Sequence, residues 1–412
     1  MIDVDLQVVK DEPSGASLAV AEVPWAKSFS ISIYVPVGSR DERPEEHGVA
    51  HFIEHMVFKG TEAFSAFELT YAVESVGGNV NAYTCEDYTV YEVRIPTAHA
   101  EVAVKVLTQM VFHPIFPEEE LALEKEVVLE EIQMYDQTPS DRITDMASEA
   151  LWGDHPLGRS IVGTEASVKE LTIEQVKAFW RKWYHSSKIV VAVASSLNVD
   201  FVKGLLQGRL PVLRDIPQER EPWVQGDGKA QTLTEATEGD QAQIAYGYHA
   251  PGRRQVRERL ACRLLSVILA ETMSSRLFVE LREKRGLCYQ VYSELSTFED
   301  TSGFFIHLGV DASKLSEAEE VLNHELRLLV EKGVTREEFE AAKAFVKGQY
   351  EMQFESPGEF STWLAEGVLF GLDVENPAHS LKALEQISWD EVNQASRLLA
   401  ETPAIALLKS DV

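Results

Sequence analysis

The chain predicts an α+β fold made of two homologous halves, each a largely antiparallel sheet with helices packed on one face. Three observations lead there. Short apolar runs with period-two alternation are interleaved with longer helical stretches. Strand runs come in tandem, as hairpins do. The order of elements in the first half recurs in the second. Tandem strand pairs imply antiparallel neighbours rather than parallel crossovers.

The first strand is marked by Phe29 to Val37, where Phe-Ser-Ile-Ser-Ile-Tyr-Val alternates before Gly38 ends the run. A helix from about Gly48 to Phe58 follows, apolar nearly all round (Val49, Ala50, Phe52, Ile53, Met56) and therefore buried, and Gly60 stops it. A second helix, Phe67 to Val76, ends at Gly77-Gly78. Next come strands Asn79 to Thr84 and Tyr88 to Ile95 and a helix from about Ala98 to Val111. Pro117 then opens a long helix whose Glu118, Glu119 and Glu120 suit the positive end of its dipole. Ile189 to Ala194 reads as a buried strand.

In the second half, strand Gln243 to Tyr248, helix Val256 to Ala270, helix Leu277 to Glu283 and strands Cys288 to Leu295 and Gly303 to Val310 repeat the order. The match is tightest late in each half, where Pro117, Leu121, Lys125 and Val128 align without gaps on Thr335, Phe339, Lys343 and Val346. In that register Glu124 falls on Ala342 and Glu131 on Gln349. The stretch from Leu210 to Gln231 is rich in Pro, Gly and charge and reads as the linker. The expected domains are therefore residues 1–212, N-terminal and catalytic, and 213–412, homologous and lacking metal ligands.

A chain of 412 residues exceeds one ordinary domain, and with 45% hydrophobic and 25% charged residues it can bury sizeable cores. Its net charge of −29 argues against nucleic-acid binding, because phosphate contacts need basic patches. The same charge suits cationic ligands such as basic peptides, or serves solubility alone. Three widely spaced cysteines, Cys85, Cys262 and Cys288, fit neither a disulfide framework nor a thiolate metal site, which points to a reducing compartment. Met1 to Asp5 lacks signal-peptide character, and no apolar run approaches the roughly 20 residues of a membrane span. A cytoplasmic location is expected, with the mitochondrial matrix left open.

The chemistry concentrates in His51-Phe52-Ile53-Glu54-His55. Histidines at i and i+4 lie one helical turn apart and can grip one metal ion, while the carboxylate of Glu54 lies within reach of a water on it. His-x-x-Glu-His is the inverted order of a catalytic zinc motif. A buried helical histidine is commonly a hydrogen-bonded core residue; two at ligand spacing, with a glutamate between, point to metal. A hydrolytic site of this kind takes three protein ligands and leaves a position for water. Glu131 is the best third ligand, because it and Glu124, seven residues apart, project within the apolar stripe of Leu121, Val128, Ile132 and Tyr135. Carboxylates facing a core are costly unless paired or metal-bound. Glu54 would then act as general base, and Glu124 would orient a ligand from behind.

At these residues the chain resembles the pitrilysin and insulin-degrading-enzyme family of zinc metallopeptidases, in the branch of the mitochondrial processing peptidase β-subunit and its bacterial relatives. The resemblance extends through His55-Met56-Val57-Phe58-Lys59-Gly60-Thr61, Gly77 to Thr84, His155-Pro156-Leu157-Gly158, Phe179 to Val193 and Leu281 to Tyr289. It implies one zinc ion per chain, held by His51, His55 and Glu131. It also implies a substrate-binding arginine and tyrosine, at the places of Arg282 and Tyr289, reaching across to the catalytic half. Without the resemblance Arg282 reads as a helix-surface charge and Tyr289 as core. The family fold implied is a pair of halves enclosing a chamber, closed in small members by homodimerisation. Unfolded peptides would dock as an added strand beside Asn79 to Thr84, with Asn81 and Ala82 at that edge.

The expected function is a zinc-dependent endopeptidase or oligopeptidase acting on extended peptides. The alternative is a non-catalytic assembly subunit of a larger complex, or one half of a heterodimeric peptidase. The intact His51, Glu54, His55 and Glu131, and the chain's own Arg282 and Tyr289, favour the first.

Overall fold

Phe29, Ile31, Ile33 and Val35 alternate with Ser30, Ser32 and Tyr34 along one strand, yet both sets are buried. A strand buried on both faces needs cover on both faces, and the computed structural model shows what supplies it. The structure describes residues 4–12, 14–216, 220–224, 230–237 and 240–409. By its contacts the chain divides into two compact units: Met1–Ile132 with Ser160–Glu221 and Glu351–His379, and Gln133–Arg159 with Pro222–Tyr350 and Ser380–Val412.

The sheet of the first unit contains, among the described residues, β1 (Asp5–Lys10), β2 (Ser17–Glu22), β3 (Ser28–Val35), β4 (Asn79–Thr84), β5 (Thr89–Pro96) and β6 (Val190–Ser195). They lie in the order β1-β2-β6-β3-β5-β4. All neighbours are antiparallel except β2 and β6. One face packs on the helices Val49–Met56, Ala100–Phe112 and Ile173–Trp183 around a core that includes Phe52, Leu107 and Phe179. The other face is covered by the helix Pro357–Phe370, whose Ser361 Oγ lies 2.8 Å from Ser32 Oγ and 3.2 Å from the carbonyl of Ala192.

The second unit repeats the plan with β7 (Thr232–Ala236), β8 (Gln241–Pro251), β9 (Cys288–Thr297), β10 (Thr301–Asp311) and β11 (Ala404–Lys409), in the order β7-β11-β8-β10-β9. Only β7 and β11 are parallel. Its main core gathers Ile244, Leu265, Phe304, Leu322 and Leu329. Its second face is covered by the helix Pro139–Trp152, which packs Met146, Leu151 and Trp152 against Ala245, Phe305 and Ala406. The two repeats share a polar contact of the same kind. Lys125 Nζ donates to the carbonyl of Lys169 at 2.7 Å, and Lys343 Nζ to that of Glu385 at 2.7 Å.

The α+β class with two mixed, largely antiparallel sheets stands as expected, with one correction. Helices lie on both faces of each sheet, because the central strands are buried on both. The compact units are not the contiguous stretches 1–212 and 213–412, because the covering helices Pro357–Phe370 and Pro139–Trp152 are each drawn from the other half of the sequence. Of the expected linker, residues 217–219 and 225–229 lie outside the described residues. In the remainder, Arg220 is bound to Asp41 in the first unit and the Trp223 amide to Asp300 in the second.

The helices that the sequence places are found near their expected positions. Val49–Met56 continues as a tighter turn to Lys59 before Gly60, whose φ is +121°. Ala66–Glu74 begins at a Ser65–Glu68 capping box, and the chain then turns at Gly77 (φ +84°) into β4. β4 ends its sheet, so its outer edge pairs with no described strand. No helix of the described residues is long and apolar enough to cross a membrane.

Candidate metal centre

The helix Val49–Met56 buries Val49, Ala50, Phe52, Ile53 and Met56 in the core of the first unit. That leaves one face for His51, Glu54 and His55. The two imidazole rings are 4.6 Å apart with planes at 62°. The long helix Glu118–Gln137 brings Glu131 to them: its Oε2 lies 3.7 Å from His51 Nε2 and 3.5 Å from His55 Nε2. One ligand atom from each of the three residues lies within 4.8 Å of the others. Two imidazole nitrogens and a carboxylate at these separations can be spanned by one tetrahedral ion with bonds of about 2.0–2.2 Å.

Glu124, two turns earlier on the same helix, is buried and accepts from His55 Nδ1 at 2.8 Å. Its other oxygen is paired with Lys59 Nζ. Donation through Nδ1–H fixes the ring and leaves Nε2 facing Glu131. At the equivalent place in the second unit stands Ala342, also buried and without a carboxylate.

The electrostatics divide the two histidines. Burial, with His55 adding to it, lowers His51 to about 4 from an ordinary 6.5, so this imidazole is neutral and ready to ligate. Burial also acts to lower His55, but hydrogen bonds to Glu124 and Glu131 outweigh it and raise the group to about 9. Burial lifts Glu54 above the usual carboxylate range, against the pull of a hydrogen bond from Thr84. Glu124 is held below that range: burial opposes ionisation, and His55 and Lys59 overcome it.

Thr84 and Lys59 contact these residues and were not assigned from the sequence. Thr84 Oγ1 donates to Glu54 Oε2 at 2.6 Å. The signal was the strand period, which puts Thr84 on the same face of β4 as Val80 and Ala82, towards the helices. Lys59 follows His55 by four residues, the spacing of one helical turn.

The remaining expected site residues lie elsewhere. Asn81 is exposed on β4, its Nδ2 donating to Glu92 Oε1 at 3.5 Å, and Ala82 packs against the core. Arg282 and Tyr289 belong to the second unit, where the guanidinium lies 5.9 Å from the Tyr289 ring and 5.0 Å from that of Phe278. Tyr289 is 76% exposed, which corrects its reading as core. A second group with metal-ligand atoms, Asp373, Glu375 and His379, is exposed, and its histidine is taken up by Asp373 at 2.8 Å.

Comparison with known proteins gives a consistent picture. The profile of the insulinase family (peptidase family M16) matches residues 18–165, and that of the peptidase M16 inactive domain matches residues 170–346. An uncharacterized zinc protease of Bacillus subtilis is 31% identical over 96% of this chain and 96% of its own length. An uncharacterized zinc protease of Mycobacterium leprae is 31% identical over 96% and 90%. Among solved structures, a protease from Helicobacter pylori shares the fold with a TM-score of 0.89 at 21% identity, covering 99% of each chain. A peptidase M16 inactive domain from Pseudomonas fluorescens also scores 0.89, at 20% identity, covering 99% of this chain and 98% of that one.

Proposed function

Because the chain belongs to the insulinase family of peptidases, M16, we propose that it is a zinc-dependent endopeptidase that hydrolyses extended, unfolded peptides with Glu54 as general base. The observation that carries this reading is the convergence of His51, His55 and Glu131 beside a carboxylate, Glu54, that is itself held by Thr84. The Bacillus and Mycobacterium relatives carry the name uncharacterized zinc protease, and two imidazoles with one carboxylate suit that metal.

His51, His55 and Glu131 would hold the ion, with Glu124 and Lys59 fixing the ring of His55. Zinc bound there supplies Lewis-acid polarisation of the scissile carbonyl and of the attacking water. Glu54 takes the proton of that water and delivers it to the leaving amine, so its raised proton affinity serves both transfers. The free edge of β4 supports docking of the substrate as an added strand at Asn81 and Ala82. In the second unit, Arg282 and the exposed Tyr289 are proposed to bind the peptide backbone. The net charge of −29 supports a preference for basic peptides, and a homodimer is proposed as the working form.

Metal analysis and peptide cleavage on wild type, Glu54→Gln and Glu131→Gln test the proposal. Glu54→Gln is expected to retain zinc and lose cleavage, and Glu131→Gln to lose zinc. Wild type that carries no stoichiometric zinc and cleaves nothing overturns the reading. Equal efficiency across a peptide series varied only in charge removes the basic preference.

A further inference from the structure

The helix that carries His51, Glu54 and His55 has only eight residues and no side-chain cap of its own. Two turns are too short to be self-supporting, and the first N–H groups need acceptors. The usual solution, a Ser, Thr, Asp or Asn at the N-cap, is closed here. The N-cap is Gly48 at φ +88°, and a Cβ there would come within 2.9 Å of the Val162 carbonyl oxygen and 3.0 Å of the Gly163 Cα. The acceptors come instead from Glu42. Its carboxylate is buried, one oxygen accepting from the Gly48 amide at 2.8 Å and the other from the Ala50 amide at 2.7 Å. Burial pushes this carboxyl well above the ordinary range and the two amides pull it back. Acceptance at both oxygens is the bonding pattern of the anion, which also suits the positive end of the helix dipole.

Glu42 is itself anchored. The preceding residues are fastened to the turn between β4 and β5: the amides of Ser39 and Arg40 donate to the carbonyls of Cys85 and Glu86, each at 3.2 Å. Arg40 also pairs with Asp87 at 2.9 Å. Asp41 is gripped by both prongs of Arg220, at 3.0 and 2.9 Å, and Arg220 also donates to the Asp87 carbonyl at 2.7 Å. One brace therefore ties the first turn of the metal helix to the hairpin whose Thr84 holds Glu54.

We propose that Glu42 is a positioning residue for the metal centre: through its two amide bonds it sets the helix so that His51 and His55 meet Glu131 while Glu54 meets Thr84. The inference rests on the zinc-peptidase reading above and assigns Glu42 no contact with metal or substrate.

The test uses the full-length protein and its Glu42→Gln and Glu42→Asp variants. Zinc affinity is measured by chelator competition, Tm with and without zinc, and kcat and KM separately. Glu42→Gln presents an NH2 group to one of the two amides and is expected to weaken zinc binding about tenfold. It should shrink the zinc-dependent rise in Tm and lower kcat with KM little changed. Glu42→Asp keeps the charge on a shorter arm and should fall between; it carries the test if the glutamine variant does not fold. Val202→Ala, in the core of the same unit, lowers Tm by an unrelated route and should leave zinc affinity unchanged. Wild-type zinc affinity and kcat in Glu42→Gln, or losses no greater than those of Val202→Ala at matched Tm, overturn the role of Glu42 alone. Wild type that binds no zinc overturns the peptidase reading and this inference with it.

Discussion

The hydroxyl of Thr84 donates to the carboxylate of Glu54 at 2.6 Å, joining the last residue of the edge strand β4 to the acid that lies between the two histidines. A carboxylate on an eight-residue helix has rotamer freedom that one short hydrogen bond largely removes. Replacing Thr84 by Val keeps the shape and removes the donor. We expect unchanged zinc content and a kcat lower by about tenfold, an effect of the size that a misoriented general base produces. Ser at this position should restore most of the rate. Equal kcat in the Val and wild-type proteins would show that the bond does not orient the base.

Glu124 holds His55 through Nδ1 and is paired with Lys59. Partners of this kind typically contribute 10–100-fold to metal affinity. Glu124→Gln should weaken zinc by about that factor while leaving all three proposed ligands in place. Titration against a chelator measures it, and affinity within about twofold of wild type would remove Glu124 from the centre.

Metal uptake should release protons in an uneven way. Without metal, hydrogen bonds to Glu124 and Glu131 outweigh burial and raise His55 to about 9, while burial lowers His51 to about 4. Near pH 7 only His55 must give up a proton to ligate, so roughly one proton is released per ion. Apparent affinity then rises with pH until His55 is neutral. A pH-indicator titration in weak buffer reads the stoichiometry; two protons per ion, or none, would contradict the assignment.

Acid should destabilise the second unit through His249. Burial lowers this group to about 4 from an ordinary 6.5, and its ring lies 4.4 Å from that of Trp223. Its folded value is depressed, so the unfolded chain binds the extra proton in between. The stability from the neutral ring is complete above about 6.5 and is lost as pH falls towards about 4. From about pH 7 to about pH 5, wild-type Tm should fall further than that of His249→Phe, which cannot titrate. Parallel Tm curves for the two proteins would exclude this role.

Local patterns carried much of the architecture. β4 begins and ends where its sequence predicts, and β3, β5, β9 and β10 are displaced by only a few residues, because alternation and flanking glycines are properties of neighbouring residues. β1 is a mostly exposed strand of mixed composition, and β2 and β11 are short runs apolar on both faces, so none of them shows a clear period in sequence. The pairings β2–β6 and β7–β11 are parallel and join segments far apart in the chain, which no hairpin signal announces. The exchanged helices, Pro139–Trp152 amphipathic and Pro357–Phe370 largely apolar, carry no local signal of which sheet they will cover.

The metal motif divides along the same line. His51 and His55 face one another because they are one turn apart on a helix, and that geometry is legible in five consecutive residues. The choice of Glu131 among many glutamates, the grip of Thr84 on Glu54, the pairing of Glu124 with Lys59 and the cap from Glu42 all depend on how helices and hairpin pack around one core. Helical spacing is written into the backbone itself. Contacts between segments distant in sequence exist only after burial of apolar surface has brought those segments together, and it is there that the partners of His51, Glu54 and His55 were settled.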